Sequence, residues 1–201
     1  VIRARLSFVV LLTSALVWCV WPWLRPRLWP AAGVSWLVVL DGYHRLDAAI
    51  DRQARSAEPI LLITCPATGQ PSASQRDAAR GPLQVLRGGF DTAGQAAVFA
   101  HWLQQQSPGW RPWRVLLFSD RHHFPRAAWA FQLASGSSGT IVQPFAVDAA
   151  APRVPHHPWA WKQLGPAWRD ALRLQLWRAM GSTGAGLAPE LVARKRKACR
   201  L

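Results

Sequence analysis

Short apolar runs that alternate with helical periodicity constrain this chain more than any other feature. Trp36 to Leu40 (WLVVL), Pro59 to Thr64 (PILLIT), Leu83 to Leu86 (LQVL), Val115 to Phe118 (VLLF) and Thr140 to Val147 (TIVQPFAV) are rich in Val, Ile and Leu and are bounded by turn-forming or charged residues. Runs of this length read as strands. Between them, residues 44–57, 92–105 and a stretch starting near His123 carry apolar residues at helical spacing, and Lys162 to Met180 follows as a basic amphipathic helix with Leu164, Trp168, Leu172 and Leu176 in one row. Strands that alternate with helices imply an α/β fold, with a mainly parallel sheet of about five strands covered by helices on both faces. Pro144 inside the last run predicts an edge strand, because proline cannot donate to a ladder. Residues 65–82 read as a loop with at most a short helical piece.

The stretch Arg114 to Arg126 (RVLLFSDRHHFPR) joins the central strand to its helix. Ser119 or Asp120 is the expected N-cap, and Pro125 suits a first helical turn. His123 and Arg126 are three apart and share that turn. Ligands in open α/β sheets bind outside the carboxyl ends of the strands, where helix N-termini favour negative charge. A cationic pair beside free backbone N–H groups suits a phosphate.

Leu6 to Leu24 (LSFVVLLTSALVWCVWPWL) contains no charged residue. About 19 residues at roughly 1.5 Å each nearly match a hydrocarbon layer of ~30 Å. Trp18, Trp21, Trp23 and Trp29 gather at its far end like an interfacial belt. The expected organisation is therefore a membrane anchor over residues 1–30, an α/β domain over 31–190 and a basic tail over 191–201. The formal charge of +14 comes mostly from scattered arginines, with one dense run at Arg194-Lys195-Arg196-Lys197. No nucleic-acid-binding motif accompanies it, so a specific nucleic-acid partner is not expected. Cys19, Cys65 and Cys199 have neither zinc nor disulfide-framework spacing, and His122-His123 diverge on a helix, so no metal is expected. There is no GxGxxG after the first strand, no GxxxxGK[ST] and no GxSxG, so the sequence names no cofactor.

Four segments together resemble the ElyC/SanA/YdcF family of bacterial envelope-associated proteins. LVVLDGYHRLDAAI carries Gly42 and Arg45 at the matching places, and ILLITC matches the second strand, with Cys65-Pro66 where two glycines are usual. DTAGQAA keeps Thr92 but has Gly94 and Gln95 for the usual Glu and Asn, and SDRHHFPRA keeps His123, Arg126 and Ala127 while Ser119 stands for Thr. The resemblance covers roughly residues 36–148. It implies a Rossmann-like domain on an N-terminal membrane helix, single-pass in the plasma membrane with the domain outside, in envelope or peptidoglycan biology. It supplies no defined reaction.

Two functions follow as expectations. One is binding of a phosphate-bearing envelope precursor or lipid carrier, with the bilayer itself a partner. The other is a non-catalytic small-molecule module, with S-adenosylmethionine the leading ligand. The expected cleft holds Gly42, Arg45, Thr92, Ser119 and Arg126 as ligand contacts and His123 as the proton donor. Arg126 is expected to clamp the anion, so that its removal costs affinity and little stability.

Overall fold

The computed structural model describes residues 36–65, 70–107, 112–121, 123–147 and 164–182, together with Thr13, Glu190, Ala193, Arg194 and Lys197. Within them the chain runs β1 (Trp36–Leu40), α1 (Tyr43–Ser56), β2 (Ile60–Thr64), α2 (Ala73–Ala78), β3 (Leu83–Arg87), α3 (Thr92–Gln105), β4 (Arg114–Asp120), α4 (Phe124–Ser135), β5 (Ile141–Val147) and α5 (Leu164–Met180). The five strands form one sheet in the order β3-β2-β1-β4-β5, and every pairing is parallel. This is the Rossmann-like α/β arrangement that the alternation predicts.

The central strands are continuous apolar runs because both faces of the sheet are covered. Leu37, Val39, Leu116 and Phe118 pack with Leu46, Ala49 and Ile50 of α1 on one face. Val38, Leu40, Val115 and Leu117 pack with Phe99 and Leu103 of α3, Phe131 and Leu133 of α4, and Ala167, Ala171 and Leu174 of α5 on the other. Helix α4 is sandwiched, with every residue from Ala127 to Ser135 buried, which is why its sequence is apolar nearly all round. The edge strands β3 and β5 are more exposed instead, and Pro144 lies in the edge strand β5, as its missing N–H requires.

Helix α5 corrects one expectation. Its row Trp168, Leu172 and Leu176 faces outward, with Leu172 62 % exposed, while Ala167, Asp170, Ala171 and Leu174 face the core. Both rows obey helical spacing, so periodicity alone does not choose between them. Two features decide for the second row: alanines let α5 lie close on α4, and Asp170 on that row has an arginine of α4 to meet. Leu172→Glu is therefore expected to change stability by less than about 0.5 kcal/mol, the usual range for surface substitutions. A chemical denaturation midpoint that falls as far as that of a core truncation would contradict this orientation.

The run Leu6 to Leu24, expected to cross a membrane, lies outside the described residues except for Thr13, as does most of the basic tail. Among the described residues no helix is long and apolar enough to cross a membrane.

Candidate functional site at the carboxyl edge of the sheet

From β1 the chain steps outward to β2 and β3, then returns to β4 on the other side of β1. The strand order thus reverses between β1 and β4, and the crevice beyond their carboxyl ends is the place where such sheets bind ligands.

Asp120, the last residue of β4, organises that crevice. Side chains alternate along a strand, so Ser119 points with Val115 and Leu117 toward α3 and α4, whereas Asp120 points with Leu116 and Phe118 toward α1. There Arg45 Nε donates to Asp120 Oδ1 at 2.9 Å and Arg45 Nη2 donates to Oδ2, a two-pronged pair. Arg45 Nη1 donates to the Asp41 carbonyl. His44 Nε2 lies 2.6 Å from Asp120 Oδ1. The Asp120 and Arg45 side chains are 11 % and 15 % exposed, and His44 is 45 % exposed. Burial alone raises the Asp120 pKa, but the hydrogen bonds and charges of Arg45 and His44 outweigh it and hold the carboxyl well below its usual range. Gly42 opens α1 at φ 141°, a conformation that favours glycine, and its carbonyl accepts from the Arg45 and Leu46 amides. Asp41 does not cap α1; its Oδ2 accepts from the Cys65 amide at 3.4 Å.

A second ionic cluster lies on the other face. Arg126 Nε donates to Asp170 Oδ2 at 2.5 Å, Arg169 Nη2 donates to Asp170 Oδ1 at 3.4 Å, and Arg173 Nη1 donates to Asp91 Oδ2 at 2.7 Å. Asp170 is 1 % exposed. The cluster ties together the opening turns of α3 and α4 and the first half of α5.

The six residues expected to share one cleft are therefore divided. Gly42 and Arg45 belong with Asp120 on the α1 side. Thr92, Ser119 and Arg126 belong to the α3/α4 side, and His123 opens α4. The expected clamp is corrected: Arg126 already holds a buried carboxylate, and Arg45 holds Asp120. The expected cap of α4 is corrected too. The N-cap residue of α4 is His123, whose amide donates to the Asp120 carbonyl at 2.9 Å, because the side chains of Ser119 and Asp120 are still part of the strand. Helix α3 is capped by Asp91, which accepts from the Gly94 amide at 2.9 Å. Ser119 is buried and its Oγ has no hydrogen-bond partner. Cys65 is buried and disulfide-bonded, which its spacing did not reveal and which removes it as a free thiol.

The link between His44 and Asp120 and the link between Arg126 and Asp170 both went unnoticed in the sequence. Signals existed: His44-Arg45 lies in the turn of helix that Gly42 opens, and Asp170 is the one acid in an arginine-rich helix. Gly94 stands where no side chain fits. A Cβ there would lie 2.9 Å from the Gly89 Cα, and Gly89 itself has φ 78° with space for no side chain, its own Cβ falling 2.3 Å from the Gln95 nitrogen. The loop after β3 thus seats directly on the start of α3. Gly94→Glu is expected to cost about 2 kcal/mol or more by overpacking. A thermal midpoint equal to that of the parent chain would contradict the close approach.

Among the described residues no group of three or more His, Cys, Asp or Glu side chains could hold a metal. A cavity of about 900 Å³ opens at the opposite end of the domain, lined by His101, Gln104, Gly136, Trp177, Arg178 and Gly181. It is framed by helix C-termini, whose dipoles disfavour anions. No family model, no curated protein and no solved structure matches the chain.

Proposed function

We propose that this chain is a membrane-anchored envelope-biogenesis protein that binds a phosphate-bearing precursor or lipid carrier at the carboxyl edge of its sheet, between the openings of α1 and α4. One observation carries the reading. Gly42 and His123, the N-cap residues of the two helices that open beside the β1/β4 crevice, make no side-chain cap bond, whereas α2 is capped by Ser72 and α3 by Asp91. Helix N-termini of this kind present backbone N–H groups and positive dipole ends to a ligand, which suits a phosphate. Asp120 does not repel it strongly, since Arg45 matches its charge. The apolar run Leu6 to Leu24 and its tryptophans support the anchor, and the resemblance supports a domain outside the plasma membrane.

Thermal unfolding of the full chain in detergent tests the reading with phosphorylated envelope precursors, nucleotides and S-adenosylmethionine in parallel. The precursors are expected to raise the midpoint, by an amount equivalent to ~2.7 kcal/mol when present at about 100 times their dissociation constant. A shift with S-adenosylmethionine alone would instead favour a non-catalytic binding module for that molecule.

A further inference from the structure

We propose that His44 is the base of this edge site: Asp120 holds its Nε2, and its Nδ1 takes a proton from a water or hydroxyl next to the bound phosphate group. The placement of the ligand rests on the function proposed above; the activation of the imidazole does not.

The geometry argues for the imidazole separately. Asp120 accepts at 2.6 Å from His44 Nε2, and the carboxyl stays ionised because Arg45 shares it. An ionised carboxylate can only accept, so Nε2 carries the hydrogen and the lone pair is on Nδ1. A carboxylate behind a histidine fixes the tautomer and the ring orientation, so the lone pair of the far nitrogen is held away from the acid. A purely structural role explains less. Arg45 already ties α1 to β4 through both Asp120 oxygens and to the end of β1 through the Asp41 carbonyl, so the His44 contact adds nothing that docking requires. The ring is also nearly half exposed, at the first turn of the helix whose opening faces the crevice. The step open to such a group is hydrolysis of a phosphate ester. Nδ1 takes a proton from water as the water oxygen bonds to phosphorus, the bond from phosphorus to its leaving oxygen breaks, and the imidazolium returns the proton through solvent to that oxygen.

Site-resolved acylation of the full chain by diethyl pyrocarbonate, followed by peptide mass spectrometry at neutral pH, reads the Nδ1 lone pair directly. His101 on α3 is the internal reference: it is exposed, and among the described residues its ring bonds to the neutral Gln105 amide, at 3.0 Å. His44 is expected to react about tenfold faster than His101, as an imidazole held in one tautomer by a neighbouring carboxylate should. Asp120→Asn is expected to bring the two rates together. If that variant does not fold, the ratio in the parent chain decides alone, and a His44 rate no greater than that of His101 overturns the proposal. Inorganic phosphate, added in a parallel series, separates the two readings. Fast acylation of His44 that phosphate does not slow leaves the base in place and removes the phosphate site. Slowing by phosphate without a rate advantage over His101 does the reverse.

Discussion

Asp170→Ala is expected to destabilise the domain by about 3–5 kcal/mol, the cost of leaving buried charges without their partner. The carboxylate is 1 % exposed and receives the Arg126 guanidinium at 2.5 Å, with Arg169 at 3.4 Å and Arg173 Nη1 at 3.9 Å. Removing it leaves Arg126 facing α5 without the buried carboxylate it pairs with. Arg126→Ala is expected to be destabilising as well, contrary to the expectation drawn from sequence, since it strips the buried acid of its nearest cation. Replacing both, as Arg126→Met with Asp170→Leu, should recover part of the loss, because apolar pairs of similar size often match or exceed a buried ion pair. Urea denaturation followed by tryptophan fluorescence reads all three. A wild-type midpoint for Asp170→Ala would show that α5 is held by other contacts.

Asp120→Ala is the second large effect, at about 3 kcal/mol, the lower end of the range for a broken buried pair because Asp120 and Arg45 keep slight solvent contact. It carries a pH signature. The Asp120 carboxyl titrates lower in the folded chain than in the unfolded one. The pair therefore contributes its full stability above the ordinary aspartate range, near pH ~4, and loses it progressively as pH falls below that value toward the lowered folded-state pKa. The gap between the parent chain and Asp120→Ala should narrow as pH falls below about 4. A gap that widens below that value would mean that the carboxyl is not the ionised member of the pair.

Much of the architecture was legible in the sequence because each strand announces itself locally. WLVVL, ILLIT and VLLF are buried on both faces, so they appear as unbroken apolar runs, and the Gly42 and Asp91 turns sit where the helices begin. Pro144 marked its edge strand for the same local reason. What was not legible depends on contacts between distant segments. Whether α5 buries Trp168 and Leu172 or Ala171 and Leu174 depends on what α4 offers it, and Arg126 lies 44 residues from Asp170 in the chain. His44 and Asp120 are 76 apart, and only the return of the chain to β4 beside β1 brings them together. Sequence spacing placed Thr92, His123 and Arg126 at the carboxyl edge of the sheet, where they lie, but could not assign each to a face, because that assignment needs the strand register. It also missed that an arginine in a cleft can be spoken for already by an acid from a later helix.

The most direct test of the edge site is a backbone amide NMR titration of the full chain in detergent micelles with a phosphorylated envelope precursor. The account predicts that the largest shifts fall on the amides of Tyr43, His44, Phe124 and Arg126, at the uncapped openings of α1 and α4, and that Thr92 at the capped start of α3 moves less. Shifts concentrated instead at His101, Gln104, Trp177 and Arg178 would place the ligand in the cavity at the other end of the sheet and contradict it.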